Sequence, residues 1–279
     1  MLPAEGRDAN PGTVGTAADW LLRFLAHPQP DMRLAFAGVM NCTLGGIELL
    51  PAFAQVLDRI GIPRHLAAAD LRSVSGTAGT ETRDRFTGPV AGSVADPAVL
   101  LRACWAIALA TEVFRGGPAV ALRGPLRQFA GKRGLTGDHL LAMAPAAALA
   151  QLGRFRGVFE TVLLPHLARY QGQWAIGPGF TGSALISADA DLIAGGLLLD
   201  LKTSGRFSLP VTDLFQVIGY ALLDFNDEFG ITELGIFSAR YGHLATWEAG
   251  SLLRDLAGRD ISLHDTRREF RSLLLACQP

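Results

Sequence analysis

Lysine is nearly absent from this chain. Its 279 residues hold only Lys132 and Lys202, against 23 arginines. Where a generic positive charge is enough the chain uses arginine, so a retained lysine marks a place where a planar guanidinium does not serve. Cysteine is almost as scarce. Cys42, Cys104 and Cys277 are far apart, odd in number and form no CxxC pair, which argues against a disulfide framework and a zinc knuckle. The six histidines show no ligand spacing. No uninterrupted apolar run approaches the roughly 18 residues of a membrane span. The opening MLPAEGRDANPG lacks the basic-then-apolar order of a signal peptide, so a cytoplasmic protein without membrane attachment is expected. A net charge of −1 gives no general attraction to nucleic acid.

What the chain does have is apolar mass. It is 49% apolar and 18% charged, which supports a real core in one large or two modest domains. The expected class is α/β, with residues 1–150 forming a helical N-terminal region of unknown role and 151–279 a second domain. Residues 1–16 are Gly/Pro/Ala-rich and read as frayed. Apolar spacing then predicts helices to about Leu71, interrupted at Gly45-Gly46 and Pro51. Residues 73–95 read as a loop with room for one short strand. Asp96-Pro97 opens a helix, with Asp at the N-cap and Pro at N1, that stops at Gly116-Gly117. HLLAMAPAAALAQLG continues as helix, and RFRGVFETVLLPHLARYQ is a helix kinked at Pro165. After Gly177 the pattern changes. GFTGSALIS alternates and reads as a strand, DADLIAGGLLLDLKTS as two strands around an Ala-Gly-Gly turn, and Pro210 opens a helix. A strand or hairpin in ITELGIFSARYGHLATWEA and a polar C-terminal helix close the chain.

One local charge bias stands out. Arg115, Arg123, Arg127, Lys132 and Arg133 lie between Glu112 and Asp138 with no acid among them. They are either a solvated arginine-biased face or a surface that contacts the phosphates of DNA.

The other lysine lies inside an apolar run. On a strand LLLDLKTS, Asp200 and Lys202 share one face, while Leu197, Leu199 and Leu201 turn to the core. Asp191 comes back across the tight hairpin to within a residue or two of Asp200. Two carboxylates on an apolar sheet repel each other and resist desolvation, and a divalent cation relieves both. Asp191, Asp200 and the main-chain carbonyl of Leu201 are hard oxygen donors that suit Mg²⁺ or Mn²⁺. Lys202 beside them can orient a water, help deprotonate it and hold a phosphate oxygen. Such a group fits metal-assisted phosphodiester hydrolysis.

These residues resemble the active site of the PD-(D/E)XK nuclease superfamily, in its RecB-like branch, over about 154–245. Asp191 matches the first acid and Asp200-Leu201-Lys202 the (D/E)XK triplet. Glu160 in FRGVFETVLL matches the acid carried by the preceding helix, and Gln216 to Tyr220 matches QxxxY. The order helix, three strands, helix, strand matches the family core; the proline of the family name is absent, Ala190 standing before Asp191. The resemblance implies a restriction-endonuclease-like fold and a Mg²⁺- or Mn²⁺-dependent deoxyribonuclease leaving a 5′-phosphate, in repair, recombination or defence against foreign DNA. It implies that Asp191, Asp200, Leu201 and Glu160 hold the metal, that Lys202 is catalytic, and that Gln216, Tyr220 and Thr203 position substrate. Protein partners would dock on the N-terminal helical region.

Plainer readings stand beside each assignment. Asp200 and Lys202 can be an ordinary strand-end ion pair, Glu160 a solvated helix residue, and Tyr220 a core-edge aromatic. Asp189 shares the face of Asp191 and rivals it, while His243 near the last strand is either a surface residue or a neighbour of the site. Gly177 to Gly182 fits GxGxxG but has helix and Trp174 before it and strand after it, so it does not read as a dinucleotide site. Ser75 to Gly79 looks phosphate-friendly but lacks a P-loop lysine. A silent binding protein with the same fold and an RNA-cleaving nuclease are the competing functions.

Overall fold

A computed structural model describes residues 9–74, 85–88, 92–206 and 208–277. The chain divides into two compact units, Leu2–Arg83 with Val90–Glu160, and Asp84–Pro89 with Thr161–Pro279. The division therefore falls at 160/161 rather than at 150, and a short segment before residue 90 joins the second unit.

The first unit is helical: α1 (Pro11–Ala26), α2 (Arg33–Leu44), α3 (Leu50–Arg59), α4 (Arg64–Val74), α5 (Pro97–Gly116), α6 (Pro118–Arg123), α7 (Gly137–Leu141) and α8 (Ala146–Val158). Residues 11–16 are not frayed. The Asn10 side chain caps α1 by accepting from Gly12 N at 2.8 Å, and Thr13 and Val14 are buried. Asp96 caps α5 in the same way, accepting from Ala98 N at 2.8 Å, and the helix ends at Gly116 as its spacing predicts. The apolar stretch after Asp138 is two helices, α7 ending at Leu141 and α8 starting at Ala146 after Pro145, which stands extended at its N-cap.

Helix α5 corrects the reading that nothing is membrane-length. It has 20 residues and is long and apolar enough to cross a membrane by length and composition alone. Counting an unbroken run stops at Arg102 and misses it. Here α5 packs against α1 and α2. A side chain at Gly38 of α2 would place its Cβ 1.7 Å from the Ala110 carbonyl of α5, so only glycine permits this approach. Trp20 Nε1 of α1 donates to Thr111 Oγ1 of α5 at 2.9 Å inside the core.

The second unit carries a six-stranded sheet in chain order: β1 (Arg85–Thr87), β2 (Gln173–Ile176), β3 (Leu192–Ala194), β4 (Leu197–Lys202), β5 (Glu233–Ser238) and β6 (His243–Glu248). All neighbours are antiparallel except β4 and β5, which are parallel and joined through α10 (Val211–Leu223). A parallel pair requires such a crossover. Ahead of the sheet, a π-helical turn at Phe159–Leu163 links α8 to α9 (Leu164–Leu167), just before Pro165. Helices α11 (Ala249–Ala257) and α12 (Leu263–Ala276) close the chain. The fold class is α/β.

The segment GFTGSALIS is not a strand. It holds a 3₁₀ turn at Thr181–Ala184, and the strand lies earlier, at Gln173–Ile176. The reason is local hydrogen bonding: Ser183 Oγ accepts from Phe180 N at 2.8 Å and donates to the Ala188 carbonyl at 2.6 Å, a side-chain competition with the ladder. A strand thus precedes Gly177, yet no α-helix follows Gly182, and the dinucleotide geometry is still missing. Ser75 to Gly79, most of the 73–95 loop and residues 1–8 lie outside the described residues.

Candidate functional site

The β3–β4 hairpin places the acids. Gly195 and Gly196 form its two-residue turn at φ 52° and 93°, the left-handed pair of a type I′ turn. The turn fixes Leu192 opposite Leu199 and Ile193 opposite Leu198. One residue beyond the ladder, Asp191 comes opposite Asp200, so both carboxylates point to the same face. A one-residue slip would send them to opposite faces.

That face is the one covered by α10. Ile193, Leu198, Leu234 and Ile236 pack there against Val217, Ala221 and Leu222. Leu197 and Leu199 are fully buried on the opposite face, and Leu198 is equally buried beside the site. Strand β4 thus has core on both sides, not on one as the alternation suggested, because it is central in the sheet. Asp200 is 3% exposed as a consequence.

Three groups converge on Lys202. Its Nζ lies 2.9 Å from Asp200 Oδ2 and 3.6 Å from Asp213 Oδ1, and it donates to Gln216 Oε1 at 2.8 Å. Gln216 Nε2 in turn donates to the Tyr220 hydroxyl at 2.6 Å. Asp191 Oδ2 accepts from Leu201 N at 2.6 Å. A strand residue points its N–H and C=O toward the same neighbour, so the Leu201 carbonyl faces the Asp191 side.

Burial of Lys202 opposes its charge, but the carboxylate of Asp200, then those of Asp213 and Asp191, outweigh it and hold the ammonium above the usual lysine range. Lys202 is therefore a charged donor to Asp200 and Gln216 here. The Tyr220 phenol is also pushed up, by desolvation first and by Asp200, Asp191 and Asp189 after it.

Of the expected residues, Asp191, Asp200, Leu201, Lys202, Gln216 and Tyr220 are brought together. Thr203 follows at the strand end, where its carbonyl accepts from Arg240 Nε at 2.7 Å. Asp189 sits two residues before Asp191, in an isolated bridge with Gly179. Glu160 is the last residue of the helical unit, and Arg156 Nε donates to its Oε1 at 2.7 Å. Among the described residues no three His, Cys, Asp or Glu side chains gather as a metal-binding group. Arg115, Arg123, Arg127, Lys132 and Arg133 are all exposed, on the helical unit.

Sequence reasoning missed Asp213. The signal was available: Asp213, Gln216 and Tyr220 are i, i+3 and i+7, one stripe of a helix. It also missed a cleft of about 310 Å³ beside Lys202 and Asp213, with Ile236, Ser238, His243 and Ala245 among its lining. No protein-family model matches the chain, and neither a curated protein nor a solved structure matches it.

Proposed function

We propose that the chain is a metal-dependent nuclease of the PD-(D/E)XK type that hydrolyses DNA phosphodiester bonds. The observation that carries this reading is the meeting of Asp191, Asp200 and Lys202 on one sheet face beneath Gln216 and Tyr220. The order of helix, three strands, helix and strand around them supports a restriction-endonuclease-like core.

The donor set supports a cation. Asp191, Asp200 and Asp213 gather around one ammonium in a largely desolvated corner, where carboxylates carry a high electrostatic cost that a divalent ion relieves. Two carboxylates and the Leu201 carbonyl suit Mg²⁺, which keeps several of its waters and needs few protein ligands. The bound ion would supply Lewis-acid polarisation of a phosphoryl oxygen and a more acidic water. Lys202 donates to a non-bridging phosphate oxygen and offsets the negative charge that grows in the transition state. Gln216 holds that ammonium in place, and Tyr220 holds Gln216. The five exposed basic residues of the helical unit are by themselves suited to contact DNA phosphates.

The test is cleavage of labelled DNA with Mg²⁺ or with chelator, comparing the natural chain with Lys202→Ala and Asp200→Asn. Cleavage that needs Mg²⁺ and falls about 100-fold or more in each variant is expected, the scale for losing one transition-state charge partner. Equal cleavage by all three chains, or none by any, overturns the reading. RNA of the same sequence, run in parallel, identifies the sugar.

A further inference from the structure

We propose that the cleft beside Lys202 receives the base of the nucleotide whose phosphate lies at the aspartate pair, so that this base must be unpaired in the substrate. The inference rests on the nuclease reading above and adds the form of nucleic acid that the site accepts.

The register builds the cleft floor. Asp200 pairs with Ile236, which pairs with Ala245, and two residues on Lys202 pairs with Ser238, which pairs with His243. Both rows run across β4, β5 and β6 on one face. Lys202 and His243 are thus two strand spacings apart, about 10 Å. That is comparable to the reach from a nucleotide's phosphate to the far edge of its own base. The cleft has a charged end at Lys202 and Asp213, beside the aspartates, and a body leading away from it that holds no lysine, arginine or acid.

The lining suits a heterocycle. Ile236 and Ala245 form an apolar floor and Leu209 an apolar wall, matched to the flat face of a base. Ser208, Ser238 and His243 supply hydrogen-bonding groups for its edge. The rim is tied in place before any ligand arrives. Arg240 Nε donates to the Thr203 carbonyl at 2.7 Å, and the Tyr241 hydroxyl donates to the Gly205 carbonyl at 2.8 Å. These bonds tie the β5–β6 turn to the β4–α10 loop. About 310 Å³ is room for one nucleoside, and a base pair carried with both of its sugars exceeds it. A base stacked and paired in a duplex enters such a space only by being extruded, so a single strand is the form that fits.

Two variants fill the cleft from different sides: Ala245→Phe from the floor, and Leu209→Trp from the half-exposed loop. Thermal melts select whichever remains folded. Cleavage and fluorescence-anisotropy binding are measured on a single-stranded oligonucleotide, the same strand in a blunt duplex, and the same strand with abasic sites. The natural chain should cut and bind the intact single strand about tenfold better than the duplex or the abasic strand. The filled variants should lose that preference. If the natural chain cuts DNA but treats all three substrates alike, or if a folded filled variant keeps the preference, the cleft assignment is overturned and the nuclease reading stands. If nothing is cut yet binding shows the preference and its loss, the cleft stands and the catalytic reading falls.

Discussion

Asp191 Oδ2 accepts the main-chain N–H of Leu201 at 2.6 Å, crossing from the start of β3 to the strand that carries Asp200 and Lys202. The bond fixes the carboxylate where the hairpin ladder has already ended. It also separates two roles of Asp191, charge and hydrogen-bond acceptor. Asp191→Asn keeps an acceptor oxygen and loses the charge, so it should fold normally and bind Mn²⁺ at least tenfold more weakly in calorimetry. Asp191→Ala loses both and leaves the Leu201 N–H unpaired, at a cost of about 1–3 kcal/mol in urea unfolding. Equal Mn²⁺ affinity in the natural chain and Asp191→Asn would remove this residue from the metal site.

The ammonium of Lys202 should titrate above the ordinary lysine value. Its shift comes from Asp200, Asp213 and Asp191 acting against the cost of burial. Asp213→Asn removes one of these charges, so the Lys202 pKa should move down, read from the pH dependence of its side-chain NMR signals. Because the folded-state pKa is raised, the stability this cluster contributes is fully present below the unfolded lysine pKa of about 10.4. It is lost as pH rises through the folded value. Stability at pH 5–9 should therefore owe no pH dependence to Lys202, and a titration of Lys202 near neutrality would contradict the arrangement.

Gly195 should not tolerate a side chain. A Cβ there would lie 2.3 Å from the Gln171 carbonyl, at a φ of +52°. Gly195→Ala combines a backbone clash with left-handed strain of about 1–3 kcal/mol. The expected outcome is a loss of more than about 2 kcal/mol in denaturant unfolding, together with weakened Mn²⁺ binding, because the hairpin register sets the acids. A hairpin that absorbs alanine without loss would show that the turn does not set the register.

Arg267 holds α12 to the end of α10. Its Nε donates to the Ala221 carbonyl at 2.8 Å, and its guanidinium reaches Asp227 at 2.6 Å and Asp224 at 3.5 Å. Asp224 is fully buried. Arg267→Ala leaves that carboxylate without its guanidinium partner and should cost about 3–5 kcal/mol in stability. The double variant Arg267→Met with Asp224→Asn should recover part of it. Failure of either change to move the unfolding midpoint would show that the pair is not a structural tie.

Much of the site was legible in the sequence because its signals are local. The alternation in LLLDLKTS, the Gly195-Gly196 turn and the i, i+4 spacing of Gln216 and Tyr220 each depend on the geometry of a few adjacent residues. Caps behave in the same way: Asp96-Pro97 starts its helix where chain chemistry alone says it should. The failures came where something other than the apolar pattern decides. GFTGSALIS alternates like a strand, yet Ser183 and its neighbours satisfy their own backbone and leave the sheet position to Gln173–Ile176. Asp213 was overlooked although it shares the helix stripe of Gln216 and Tyr220, because only the packing of α10 shows how close that stripe comes to Lys202.

The sequence by itself determined that Asp200 and a rare lysine would share a strand face, since side chains alternate, and that a two-glycine turn would bring Asp191 back to within a residue or two of Asp200. Only the tertiary structure decided what surrounds them. Packing of α10 over that face brings Asp213, Gln216 and Tyr220 to the ammonium, and the parallel partner β5 with β6 lays out the cleft floor. Lys202 meets Asp213 and Gln216 at 11 and 14 positions along the chain, and β4 meets β5 at 36, and no short-range propensity encodes which of them meet.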